Sequence, residues 1–181
     1  MGKRFQDRPG FTLIEMLIVV IVLGILAMII IPQITVSTED AKVSTLKTNL
    51  SAMRSAIELY YHQHSQIYPG MKLTDGSGTD VGTAVVAATA FVDQLTKYTE
   101  VSGKAAGDSA TLTNPVGPYI KGGKLPTNPF DEDNDVKCDI TTTDITTRVA
   151  DSTTSWLFYT KTGVLIANDG GSTDGTAHSD Y

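Results

Sequence analysis

Apolar residues gather in one unbroken run. From Met16 to Ile31, sixteen successive residues (MLIVVIVLGILAMIII) carry neither charge nor hydroxyl. Counted from Phe11, the segment to Ile31 holds 21 residues, ~31 Å of helix at 1.5 Å per residue, which matches the ~30 Å hydrocarbon core of a bilayer. Beyond Pro32 the pattern changes. Val43, Leu46, Leu50, Met53, Ile57, Tyr60 and His64 recur at spacings of three and four, the period of one helix face. Lys42, Lys47, Thr48, Arg54, Ser55 and Glu58 lie between them. The spacing predicts one helix from near Phe11 to about His64, apolar over residues 11–31 and amphipathic over 32–64, ended by Tyr68-Pro69-Gly70. A stripe of this kind has to be covered, and the C-terminal part of the same chain is the expected cover.

Residues 65–181 read differently. Pro69-Gly70, Asp75-Gly76-Ser77-Gly78, Asn114-Pro115, Gly122-Gly123, Asn128-Pro129 and Asp169-Gly170-Gly171 punctuate the chain with turn signals. One segment escapes them. Ala84 to Thr99 repeats apolar residues at helical spacing (Val85, Ala88, Phe91, Val92, Leu95, Tyr98) and predicts a second, shorter helix. Ser155–Thr160 and Val164–Ala167 read as strands joined by a hairpin at Lys161-Thr162-Gly163. A small antiparallel sheet laid on the stripe of the long helix gives an α+β fold.

Charge divides along the same boundaries. The chain has 14 Lys and Arg against 20 Asp and Glu, and such an acidic balance excludes nucleic acid as a bulk ligand. Residues 1–10 run the other way, with Lys3, Arg4 and Arg8 against Asp7. Basic residues before an apolar span and none soon after it place residues 1–10 on the cytoplasmic side and the remainder outside. The run ends in Ile31-Pro32-Gln33 without the small-residue site of an ordinary secretory signal. A single cysteine, Cys138, excludes an intrachain disulfide.

Glu15 does not suit a plain anchor. An acid within an apolar span costs up to ~3 kcal/mol at mid-bilayer and needs a partner or an interfacial position. The surrounding residues, Arg8-Pro9-Gly10 followed by Phe11-Thr12-Leu13-Ile14-Glu15 and an aliphatic run, resemble the class III leader of type IV pilins and type II secretion pseudopilins. The resemblance implies cleavage by a prepilin peptidase between Gly10 and Phe11. It implies N-methylation of Phe11, and pairing of Glu15 with a neighbouring subunit's N-terminal ammonium. Gly24 and Pro32 fall where pilin helices loosen or kink, and Gly and Pro are the residues able to do so. Also implied are a pilin-like fold, a helical polymer of the chain itself, an inner-membrane assembly platform, contact with lipid before assembly, and a bacterial inner-membrane location that gives way to a periplasmic or cell-surface filament.

The outer part is similar to the same family through Leu125-Pro126-Thr127-Asn128-Pro129-Phe130, Lys161-Thr162-Gly163 and Ala167-Asn168-Asp169, a pseudopilin-G-like course. Missing is the cysteine pair that closes a C-terminal loop in many type IVa pilins. Asp131, Asp133 and Asp135 alternate in one loop, a pattern able to converge on a hard cation, and the resemblance makes calcium the one candidate cofactor. Asp169 to Gly175 is a second, sparser set of oxygen ligands. His62 and His64, two apart, do not share a helix face, and no HExxH or cysteine cluster accompanies them. Nucleophile elbows and phosphate loops are absent, so an enzyme is not predicted. A filament subunit and a membrane-anchored, outward-facing adhesin or binding protein remain. Only the first requires an acid four residues after the leader junction.

Overall fold

The computed structural model describes residues 11–78, 81–147 and 149–181, apart from the side chains of residues 29–37 and 147. The leader, residues 1–10 with Gly10, lies outside the described residues. Contacts divide the chain after Ala41, and Lys42–Tyr181 forms one compact unit.

Helix α1 spans Leu13–Gln63, with no break in assignment at Gly24 or Pro32. In its first part every large apolar side chain described from Phe11 to Met28 stands exposed, between 48% and 90%. Among the described residues no helix is long and apolar enough to cross a membrane. Leu13–Met28, the apolar helical stretch whose side chains are described, provides only ~24 Å at 1.5 Å per residue. Ile29 to Ile31, which complete the expected span, have side chains outside the described residues.

The second part of α1 carries the stripe, and the stripe is covered. Leu46, Leu50, Met53, Ile57, Tyr60 and His64 are each 1% exposed or less, and Val43 at the stripe's start is half-buried. Two consecutive left-handed residues, Ser65 and Gln66 (φ 56° and 61°), end the helix. Gly70 follows at φ +81°, where a Cβ would come within 2.9 Å of the Ala87 carbonyl oxygen. Only glycine both adopts that turn and permits that approach.

Helix α2 spans Ala84–Thr96 and is capped by Thr83, whose side chain accepts from the Val86 N–H. It stops earlier than its apolar spacing suggests. The Lys97 N–H closes back on the Asp93 carbonyl, and Tyr98–Thr99 leaves as strand β1, paired with β2 (Ala105–Ala106). The expected face is buried in large part: Phe91 and Leu95 are fully buried and Ala88 and Val92 pack against the core, whereas Val85 is 77% exposed and Ala87, Ala90 and Gln94 also turn inward. Gln94 is held inside by hydrogen bonds. Its amide accepts from the Gly70 N–H at 2.8 Å and donates to the Gly103 carbonyl at 3.0 Å.

The main sheet has three strands: β3 (Val136–Asp139), β4 (Trp156–Tyr159) and β5 (Val164–Ala167), in that spatial order. The expected hairpin is present. Trp156 faces Ala167, Tyr159 faces Val164, and Gly163 at φ +73° lets its N–H reach the Tyr159 carbonyl. The expectation of a wholly antiparallel sheet is corrected by β3, which pairs parallel to β4. Residues 140–155 form the long crossover that a parallel neighbour requires. On the inner face Cys138, Trp156, Phe158, Leu165 and Ala167 join the α1 stripe and Phe91 and Leu95 of α2 in one apolar cluster. Leu157, Tyr159 and Ile166 form a smaller cluster on the other face. Strands β6 (Ser172–Thr173) and β7 (Thr176–Ala177) make a short hairpin near the C-terminus.

Candidate functional site

The residues at the start of α1 form a closed local unit. Thr12 is the N-cap, and three residues on, the Glu15 N–H reaches the Thr12 hydroxyl at 3.3 Å. In return Glu15 Oε2 accepts the Thr12 N–H at 2.7 Å and its hydroxyl at 2.8 Å. This is a capping box, and it satisfies backbone groups that the helix itself leaves unpaired. Phe11, immediately before, is 79% exposed. The carboxylate and the α-nitrogen position of residue 11 thus stand at the same end of the helix, on opposite sides of Thr12 in sequence. Thr12 opens a T-x-x-E signature, a common pattern that the apolar run around it obscures. Among the other expected residues, Gly24 has open space around it, since an added Cβ would meet nothing within 4 Å. Pro32 has its side chain outside the described residues.

The acidic loop behaves differently from a ligand cage. Asp131 Oδ1 accepts from the Asp133 N–H at 3.1 Å and the Ser155 hydroxyl at 3.0 Å. Asp133 Oδ1 accepts from the Asn134 N–H, and Asp135 Oδ1 from the Ser155 N–H, both at 2.7 Å. Each carboxylate is turned to its own donors, and Asp131 and Asp135 pin the loop to Ser155, just before β4. Among the described residues no three His, Cys, Asp or Glu side chains gather to hold a metal ion.

His62 is exposed and His64 buried, so the two histidines part company. His64 Nδ1 donates to the Tyr60 carbonyl at 2.8 Å, and Nε2 lies 3.0 Å from the Thr99 hydroxyl. Its ring stacks on Tyr60 at 3.7 Å. Burial pushes the imidazole below its ordinary 6.5, against the raising effect of its bond to the Tyr60 carbonyl. A proton taken up by the unfolded chain is therefore resisted by the folded one. The contribution of His64 is present above about pH 6.5 and is lost as pH falls through the interval below it. Urea unfolding above and below that value should show the loss, and His64→Gln should flatten the dependence; an unchanged slope in the variant would dismiss His64 as its source.

The Prokaryotic N-terminal methylation motif matches residues 7–31, which include the leader junction, the capping box and the apolar run. Type II secretion system core protein G of Pseudomonas aeruginosa is 40% identical over 55 residues, 30% of this chain and 39% of that protein. The core protein G of Vibrio cholerae is 34% identical over 67 residues, 37% of this chain and 45% of that protein. Type IV major fimbrial protein FimA of Dichelobacter nodosus is 35% identical over 97 residues, 50% of this chain and 62% of that protein. The chain spans less than half the length of the two core protein G relatives. No solved structure matches it.

Proposed function

We propose that this chain is a member of the type IV pilin and type II secretion pseudopilin family and a structural subunit of a pilus-like or pseudopilus filament. The observation that carries the reading is the start of α1: an acid held in a capping box beside residue 11, followed by an apolar stretch whose described large side chains, to Met28, are all exposed in the single chain. An exposed run of this extent needs an apolar phase. Lipid supplies it first, and the same helices of neighbouring copies supply it afterwards.

The sequence of events follows from charge. Lys3, Arg4 and Arg8 hold the precursor's N-terminus in the cytoplasm. A prepilin peptidase cuts between Gly10 and Phe11 and creates an ammonium at the membrane, which is methylated at Phe11. Glu15 of one copy then meets the N-terminal ammonium of another, so that two charges costly in lipid neutralise each other. An inner-membrane platform draws subunits out of the bilayer, and Gly24 and Pro32 let the helix loosen as it enters the filament. The head stays outside, and 15 of the 20 acids lie in residues 65–181, so the filament surface is acidic. The role is structural rather than catalytic.

Intact-mass measurement on the purified protein tests this. The expected mature chain begins at Phe11 and is heavier by one methyl group; a chain retaining residues 1–10 when isolated from assembled material would remove the basis of the proposal.

A further inference from the structure

We infer that the C-terminal strap, residues 168–181, is locked shut by the buried pair Asp169 and His178 rather than by a metal ion or a disulfide, and that it guards the outer edge of β5. This holds whether or not the filament reading is correct.

Asp169 is the centre of the lock. Its side chain is 5% exposed and that of His178 3%. His178 Nδ1 donates to Asp169 Oδ1 at 2.9 Å, and the same oxygen accepts the Gly171 N–H at 2.7 Å. Asp169 Oδ2 accepts from the Asn128 amide at 2.8 Å. On the other side of the ring, His178 Nε2 lies 3.0 Å from the Thr173 hydroxyl. Both ring nitrogens and both carboxylate oxygens are thereby used inside the fold, as burial demands.

Packing fits the ring as closely as the hydrogen bonds do. Phe130 lies against it with centroids 3.8 Å apart. A Cβ on Gly171 would approach the ring to 2.8 Å, so the backbone there is shaped around His178. The β6–β7 hairpin turns at Asp174 and Gly175, both left-handed (φ 51° and 78°), and the His178 N–H returns to the Gly171 carbonyl at 2.9 Å. The strap is a closed loop with the histidine at its neck.

What the strap covers follows from the β4–β5 register. The Asn168 N–H donates to the Ser155 carbonyl, so in the alternating antiparallel ladder the Leu165 carbonyl faces away from β4. Arg54 of α1 takes that carbonyl through Nε and Nη2 at 3.2 and 2.9 Å, and holds the Tyr181 carbonyl through Nη2 at 2.8 Å. Lys47 lies over the Tyr181 ring, 4.2 Å from its centroid. One end of the strap is fixed to α1 and the other to the sheet. Arg54 and the strap end that it holds together cover that carbonyl and deny it to another chain.

Cys138 is the one cysteine and is buried, and no three candidate ligands gather among the described residues. The test uses the mature full-length chain in detergent. For the unmodified protein, EDTA and then excess calcium chloride should leave the melting temperature and the broad-specificity protease pattern unchanged. His178→Ala and Asp169→Asn should each lower the melting temperature by several degrees and open the strap to cleavage, and the double variant should be no worse than the more damaged single one. A fall in melting temperature on chelation, restored by calcium, would overturn the inference. So would additive losses in the double variant, or a strap that stays protected in His178→Ala. The chelation arm remains decisive even if a variant fails to fold.

Discussion

Glu15→Ala is expected to leave the chain inserted and trimmed at the Gly10–Phe11 junction, yet to yield almost no filaments. Insertion depends on the apolar run and on Lys3, Arg4 and Arg8, none of which changes. Cleavage acts on the residues around Gly10. Assembly is where the acid is needed, because without it each added subunit carries an unpaired ammonium into an apolar core. Leaving one charge of a buried pair uncompensated costs ~3–5 kcal/mol, a factor on the order of 10² to 10⁴ in the equilibrium for each addition. Loss of the cap is a smaller effect, ~1 kcal/mol, and Thr12 separates the two. Thr12→Val removes the hydroxyl that Glu15 binds while keeping the acid, so filaments should be reduced rather than abolished, and Thr12→Ser should restore them. Filament yield by sedimentation, alongside intact mass to verify trimming, decides the matter. Normal filaments from Glu15→Ala would refute the pairing, and an untrimmed Glu15→Ala product would move the acid's role to processing.

The features legible in the sequence share one property: they repeat with the period of the element that holds them. The 3.6-residue recurrence from Leu46 to His64 is buried at every step because a single helix face meets a single surface. The β4–β5 hairpin was marked by an aromatic strand and a glycine at its turn. What escaped was set by contacts distant in sequence. In α2 the apolar spacing found Phe91 and Leu95 but also named Val85, which is exposed, and missed Gln94, buried through its bonds to Gly70 and Gly103; no apolar pattern anticipates a buried amide. Strand β3 alternates Val136 and Cys138 with Lys137 and Asp139, a period-two pattern too short to notice beside the acidic loop. Its parallel pairing depends on a crossover whose length, not composition, permits it.

The functional residues divide in the same way. Glu15 was conspicuous because an acid in an apolar run violates its surroundings. Thr12 was hidden by being ordinary. Asp131, Asp133 and Asp135 looked like convergent ligands, and only the fold shows that each serves its own backbone donor. His178 and Asp169 stand nine residues apart in a polar tail, and nothing local says that both will be buried. Short-range pattern therefore reveals violations and repeats, whereas the partners that make a buried polar group tolerable come from elsewhere in the chain.

Phe158→Ala should be among the most damaging substitutions in the head, and Val85→Ala among the least. Phe158 is at the centre of β4 and has no exposed surface. Its ring lies 4.5 Å from Phe91 of α2 and 6.4 Å, edge-on, from Tyr68 in the segment after α1. It thus joins the sheet to α2 and to the segment that follows α1. Truncation removes that contact and leaves a void that Phe91 cannot fill without leaving α2. A loss of ~3–5 kcal/mol is expected, equivalent to a melting temperature lower by roughly 6–20 °C for a chain of this size. Val85 belongs to the face of α2 that apolar spacing nominates as buried, but it is 77% exposed. Its replacement should change stability by no more than ~0.5 kcal/mol, with a slight gain possible because Ala is the better helix former. Chemical denaturation of the two variants side by side tests the orientation of α2 as well as the core. A large loss from Val85→Ala would mean that α2 turns Val85 into the core, and a small one from Phe158→Ala that its ring does not anchor the core.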